Sequence, residues 1–149
     1  MNLNNIEVLL VEDNIDDAEL TMRELTRNKL ANNLYHVSDG EMALDFIFAR
    51  GAFKDSRTAG RQLKLILLDI QMPKINGIEV LRAIKSDASA KSTPVVMLTS
   101  SKEDPDIKQC YEAGANSYIV KPVSFEGFAN AIKSVGLYWL LINQPPGKM

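Results

Sequence analysis

Short apolar runs alternate with segments in which apolar residues recur every three or four positions, and the alternation repeats five times along the chain. "IEVLLVED" (6–13) is an apolar, β-branched run that ends in two acids, and it predicts a buried strand. Residues 15–28 follow with Ile15, Ala18, Met22 and Leu25 at the spacing of one helical stripe. "NLYHV" (33–37) predicts a second strand, and "SDGEMALDFIFAR" (38–50) a second helix whose apolar residues are Met42, Leu44, Phe46, Ile47 and Phe48. The period is lost over 51–64, "GAFKDSRTAGRQLK", where glycines, hydroxyl residues and basic side chains predict a surface loop. "LILLD" (65–69) predicts the third strand, and Ile78, Leu81 and Ile84 a helix over 77–87. "TPVVMLTSS" (93–101) predicts the fourth strand. A helix over 104–114 has Asp104 as its cap, Pro105 at its first position and Gly114 at its end. "NSYIVKP" (116–122) is the fifth strand, and a long helix over 124–143 precedes the tail "QPPGKM".

Most of these strands are short and apolar on both faces, as in a parallel sheet covered by helices on both sides. With no internal repeat, low-complexity segment or linker, the pattern implies one doubly wound α/β domain with a five-stranded parallel sheet flanked by five helices. The length of 149 residues suits one such domain, and 46% hydrophobic residues suffice for its core. A net charge of −2 gives no basic surplus for a phosphate backbone, which argues against direct nucleic-acid binding. The single cysteine, Cys110, excludes an internal disulfide and a multi-cysteine metal site, and it fits a reducing compartment. No apolar run approaches the ~18 residues of a membrane span, and the N-terminus has no basic region of a signal peptide, so a cytoplasmic location is expected.

In sheets of this kind ligands bind at the carboxyl ends of the strands, where the strand order reverses. The predicted strand ends carry Glu12 and Asp13, then Asp69, then Thr99 and Ser100, then Lys121 followed by Pro122. Each has an ordinary reading: Glu12 and Asp13 as caps of the first helix, Asp69 as a turn former, Thr99 as a strand-end hydroxyl, Lys121 as a solvated charge. Gathered on one rim they read differently. Three adjacent carboxylates repel one another unless a cation sits among them, and an all-oxygen set favours a hard divalent ion such as Mg²⁺. An Asp beside such an ion can accept a phosphoryl group, with Lys121 and the Thr99 hydroxyl on the phosphate oxygens.

The set "VED", "SDGEMAL", "LLDIQMPKINGIEVL", "VVMLTSS" and "YIVKP", in this order and at these strand ends, resembles the receiver domain of two-component response regulators over nearly the whole chain. The resemblance implies a flavodoxin-like strand order 2-1-3-4-5. It implies Asp69 as phosphoacceptor, and Glu12 and Asp13 as the acid pair holding Mg²⁺, with the backbone carbonyl of Gln71 as a further ligand. Thr99 and Tyr118 would be the switch pair, and Lys121 the phosphoryl contact, with a cis peptide bond to Pro122. Gly77 would permit the tight turn before the third helix. Gln71 and Ser101 would tune the lifetime of the acyl phosphate. The implied partner is a sensor histidine kinase, and the domain would assist its own phosphorylation and dephosphorylation without being a classical enzyme. The long 51–64 insertion and the extended last helix resemble those of stand-alone regulators that partner bacterial phytochrome kinases.

His36 lies in the second strand away from the rim and reads as structural, and Cys110 reads as a packing residue. In the last helix Phe125, Phe128, Ile132 and Val135 can face the sheet, while Tyr138, Trp139 and Leu140 to Ile142 exceed what one core stripe needs. That excess either packs back on its own domain or forms a patch for association, and a homodimer through the fourth helix, fifth strand and last helix is favoured. Two competing functions remain. A degenerate receiver would bind partners without phosphorylation, but such domains lose an acid or the lysine. A phosphohydrolase of the haloacid-dehalogenase type needs a second Asp two residues after its nucleophile, where this chain has Gln71.

Overall fold

The structure is a computed structural model that describes residues 2–27, 33–100 and 105–134. Five parallel strands, β1 (Val8–Val11), β2 (Leu34–Val37), β3 (Leu65–Asp69), β4 (Val95–Thr99) and β5 (Ser117–Val120), form one sheet in the order 2-1-3-4-5. This is the flavodoxin-like arrangement. β1, β3 and β4 are buried along their whole length, which explains their unbroken apolar sequence. β2 and β5 are the edges, and they are correspondingly less buried.

The two-residue alternation of each strand sends its side chains to two cores. Leu9, Val11, Ile66, Leu68, Val95 and Met97 pack under α2 (Gly40–Ile47), α3 (Gly77–Lys85) and α4 (Asp106–Glu112). Val8, Leu10, Leu65, Leu67, Val96, Leu98 and Ile119 pack under α1 (Ile15–Arg27) and α5 (Phe125–Ser134). The helices start where their local chemistry predicts. Asp39 accepts from the Met42 N–H at 2.8 Å to cap α2, and Asn76 with Glu79 forms a reciprocal capping box at α3.

Several sequence expectations shift. Ile15 does not join the buried stripe of α1: it is 67% exposed, because the first turn stands at the rim with no strand beneath it, and Thr21 joins Ala18 and Leu25 in the interior. In α2 the buried set is Ala43, Phe46 and Ile47, while Met42 is exposed. Pro105 precedes α4 as its cap residue, without a side-chain cap, and Asp104 lies outside the described residues. On α5 Phe128, Ala131 and Ile132 face the core while Phe125 is exposed; Val135, Tyr138, Trp139 and Leu140 to Ile142 lie outside the described residues.

The 51–64 segment is the largest departure from expectation. It is no simple surface loop. Gly51–Phe53 forms a 3-10 turn, and Phe53, Arg57 and Leu63 are buried. The Arg57 guanidinium donates to the carbonyls of Phe46 at 2.8 Å, Leu3 at 3.1 Å and Arg61 at 2.9 Å, and it lies 4.3 Å over the Phe46 ring. Phe53 in turn meets the rings of Tyr35 and Phe46 edge-on. A basic, glycine-containing stretch concealed an anchor, because one buried guanidinium donates to three backbone carbonyls from separate parts of the chain, adding to the Ile6 and Ala49 N–H groups that already reach Leu3 and Phe46.

Candidate functional site

The strand order places the reversal between β1 and β3: the chain leaves β1 for the outer β2, then returns to lay β3 on the other side. The carboxyl ends of these two strands carry Glu12 and Asp69. Both side chains sit at the alternation parity of the α1/α5 face, and so does Lys121, two residues after Ile119. Thr99 and Tyr118 have the opposite parity, toward α3 and α4. The two groups of residues singled out in the sequence are therefore placed on the two faces of one sheet edge.

Glu12 and Asp69 are buried, and Asp13 is less so; one oxygen of each carboxylate lies within 4.8 Å of the other two. The Lys121 ammonium joins the cluster. It stands 3.0 Å from Glu12 Oε1, 3.1 Å from Asp17 Oδ2 and 3.4 Å from Asp69 Oδ2. This removes the reading of Lys121 as a solvated charge. The reading of Glu12 and Asp13 as helix caps also falls, because Asn14 caps α1 by accepting from the Asp17 N–H at 2.9 Å. Glu12 instead turns inward and accepts from the Asn14 N–H at 3.2 Å. Asp17 is a fourth acid that sequence reasoning missed. Its position one turn after Asp13, in the first turn of α1, was the available signal.

Burial pushes the Asp69 carboxyl up to about 8, reinforced by the hydrogen bond and the negative charge of Glu12 and opposed by Lys121. Burial alone would lower Lys121, but Glu12, Asp69 and Asp17 together hold the ammonium above its ordinary value. Metal-free, the site thus carries more negative charge than one lysine offsets. The donor set of carboxylate oxygens around a partly open Asp13 fits a hard divalent cation that keeps some of its water.

The surrounding backbone explains the geometry. A Cβ on Gly77 would overlap the carbonyl oxygen of Asp69. Gly77 lies at the turn before α3, and it is this close approach that calls for a glycine there, since its φ is not positive. The Gly77 N–H donates to the Ile70 carbonyl at 2.9 Å, pinning the loop that follows Asp69. Within that loop the Gln71 N–H reaches Asp69 Oδ1 at 3.3 Å, and the Gln71 side-chain amide donates to Asp106 Oδ2 at 2.9 Å, at the start of α4.

The Lys121–Pro122 peptide bond is cis, as expected. The Lys121 N–H donates to the Thr99 carbonyl at 2.7 Å, which ties the ends of β4 and β5 together. Thr99 is buried, and Tyr118 is half-buried with its ring edge-on to Tyr111 at 6.3 Å. Ser101 lies outside the described residues. Cys110 is buried in the α3/α4 core, as expected of a packing residue. His36 does not stay away from the rim: its Nε2 is 2.8 Å from the Glu12 carbonyl oxygen.

Comparison with known proteins agrees with this geometry. The family model of the response regulator receiver domain matches residues 8–133. The chain is 38% identical over 141 residues to the probable methanogenesis regulatory protein FilR2 of Methanothrix harundinacea, covering 94% of this chain and 87% of that one. Among solved structures it is similar to the bacteriophytochrome response regulator RtBRR, with a TM-score of 0.82, 44% identity, and 95% and 84% of the two chains covered. It is also similar to the Mn²⁺-bound form of response regulator Rcp1, with a TM-score of 0.70, 31% identity, and 94% and 98% covered.

Proposed function

Because the chain belongs to the response regulator receiver family, a family of signalling phosphoacceptors, we propose that Asp69 accepts a phosphoryl group from the phosphohistidine of a sensor kinase. A carboxylate oxygen of Asp69 attacks phosphorus, the phosphorus–nitrogen bond breaks, and the imidazole leaves with its electron pair. The observation that carries this reading is Lys121 held between Glu12 and Asp69 at the strand reversal, beside Asp13. Glu12, Asp13, Asp69 and the Gln71 carbonyl would hold Mg²⁺, which when bound offsets charge on the transferring phosphoryl oxygens. Lys121 already faces Asp69 and is placed to pair with a phosphoryl oxygen. Thr99 and Tyr118, on the other face of the same edge, form the route by which the state of Asp69 reaches α4 and β5. Gln71 and Ser101 set the lifetime of the acyl phosphate, and the domain assists its own phosphorylation and dephosphorylation.

The partner follows from the relatives. Structures named as bacteriophytochrome response regulators resemble this chain over nearly its full length, so the kinase is taken to be a bacterial phytochrome acting in the cytoplasm. Residues 1–149 act as one receiver domain with a packed 51–64 insertion. Tyr111, Val120 and Phe125 are exposed apolar side chains on α4, β5 and α5, and they support a homodimer through that face. Among the described residues no helix is long and apolar enough to cross a membrane.

The phosphohydrolase alternative is disfavoured by Gln71. An amide cannot serve as general acid, and this one is engaged with Asp106. The deciding experiment is intact-mass analysis after incubation with acetyl phosphate or phosphoramidate and Mg²⁺. Gain of one phosphoryl group, absent in Asp69→Asn and absent without Mg²⁺, is the expected result. No gain with either donor would overturn the reading in favour of a phosphorylation-independent binding module.

A further inference from the structure

The regular ladder of β1 ends one residue before the acids, with Val11 paired to Val37 of β2. Glu12 and Asp13 therefore stand just beyond the paired residues of the sheet. The structure supplies two contacts there, both from β2. The Glu12 N–H donates to the Val37 carbonyl at 3.1 Å, and the Glu12 carbonyl oxygen lies 2.8 Å from His36 Nε2. A carbonyl oxygen only accepts, so Nε2 is the donor and its proton is fixed on that nitrogen. The side chain of His36 thus extends the ladder by one residue, doing for Glu12 what a further strand residue would otherwise do.

The Glu12 carbonyl belongs to the peptide that joins Glu12 to Asp13. Holding that oxygen fixes the rotation of the peptide plane, and with it the direction in which Asp13 leaves the strand. Glu12 has other restraints, from Lys121 at 3.0 Å and the Asn14 N–H at 3.2 Å. Among the described residues no hydrogen bond to the Asp13 carboxylate is formed, so its aim depends on the backbone. We propose that His36 is a positioning residue for the divalent-cation site: by donating from Nε2 to the Glu12 carbonyl it orients the Glu12–Asp13 peptide so that Asp13 converges with Asp69. The inference rests on the proposed reading of the carboxylates as a cation site.

The test is cation binding by the full chain, wild type against His36→Phe and His36→Gln. Phe keeps a ring at the edge strand but lacks the donor, whereas the Gln side-chain nitrogen can occupy the place of Nε2. Mn²⁺ binding is read from the loss of the free-ion electron paramagnetic resonance signal, and Mg²⁺ binding by calorimetry. Urea midpoints in EDTA report any structural effect. Partners that orient metal ligands are worth 10–100-fold in affinity, so His36→Phe is expected to weaken both ions about tenfold. His36→Gln is expected to recover most of that loss, with the EDTA midpoints of the two variants alike. Unchanged binding in His36→Phe, or an equal loss in His36→Gln, overturns the proposal and leaves the site reading intact. If His36→Phe does not fold, the Gln variant decides by itself: binding within about threefold of wild type is required by donor replacement, and a larger loss overturns it. Absence of binding by the wild type overturns the reading of the site and the inference together.

Discussion

Replacing Asp69, the proposed phosphoacceptor, should stabilise the metal-free protein, and the gain should grow with pH. The Asp69 carboxyl is pushed from its ordinary value of about 3.8 up to about 8, chiefly by burial and then by Glu12. The folded state therefore holds a proton that the unfolded state has released, over the window between those two values. Stability linked to this group is fully present below about 3.8 and is lost as pH rises through about 8, the direction expected when folding binds protons. Within the window the slope is about 1.4 kcal/mol per pH unit, which amounts to roughly 4 kcal/mol by pH 7, an upper bound before relaxation of the cluster. Asn keeps the shape and a hydrogen-bonding oxygen, and Lys121 retains Glu12 and Asp17 as partners.

The assay is urea unfolding of wild type and Asp69→Asn in EDTA at about pH 5.5 and about pH 7.5. Between these conditions the wild type is expected to lose about 2.5 kcal/mol relative to the variant, and half of that would still be well resolved. Saturating Mg²⁺ should then flatten the wild-type slope, because a cation favours the ionised carboxylate and supplies stability by mass action. Parallel pH dependence of the two proteins in EDTA would refute the argument. It would mean that Lys121 already compensates the buried pair and that no charge is left for a cation to neutralise.

Three further outcomes are expected. Gly77→Ala forces a methyl group against the Asp69 carbonyl, a backbone atom that cannot swing aside, and should cost at least about 1–3 kcal/mol in urea unfolding together with phosphoryl acceptance; a neutral result would mean that the β3–α3 loop is not held as described. Arg57→Met removes three hydrogen bonds from a buried guanidinium to backbone carbonyls and should lower stability by about 2–4 kcal/mol, while a change below about 0.5 kcal/mol would show that the 51–64 segment is not anchored by this residue. Gln71→Ala frees α4 from the loop beside Asp69 and opens that side of the site. Loss of one hydrogen bond of about 1 kcal/mol implies an acyl phosphate roughly fivefold shorter-lived, read as decay of the phosphorylated mass, and an unchanged decay rate would contradict the role given to Gln71.

The sheet was legible because β1, β3 and β4 are wholly buried, so their apolar runs are nearly uninterrupted, and each gives way at its carboxyl end to a polar residue, Glu12, Asp69 or Thr99, that is itself buried. For the same reason the sequence alone places Glu12, Asp69 and Lys121 on one rim: a parallel sheet sends every strand end the same way. Details that depend on partners distant in sequence were not legible. Periodicity counts apolar residues but does not know where the sheet ends under a helix, so Ile15 was misassigned. Composition sees Arg57 as a surface charge, because its three carbonyl partners belong to Leu3, Phe46 and Arg61. Asp17 looks like any first-turn acid until Lys121, about a hundred residues later, arrives beside it.

The misplaced His36 shows the same limit from the functional side. Sequence position put it in an edge strand, and edge strands are where polar side chains are least informative. Its significance comes from register. The paired residues of β1 and β2 end at Val11 and Val37, and the His36 side chain reaches the Glu12 carbonyl beyond that end. The charge excess around Asp69 and the backbone restraint on Glu12 then work in opposite senses on one site. Burial and Glu12 make the metal-free carboxylate reluctant to ionise, whereas fixed peptides keep its neighbours from drifting apart to relieve the repulsion. A cluster free to relax would lose its affinity for a cation along with its strain. Held in place by β2, Lys121 and the Gly77 contact, it keeps both, so that stability lost in the empty site is recovered as affinity when a cation enters.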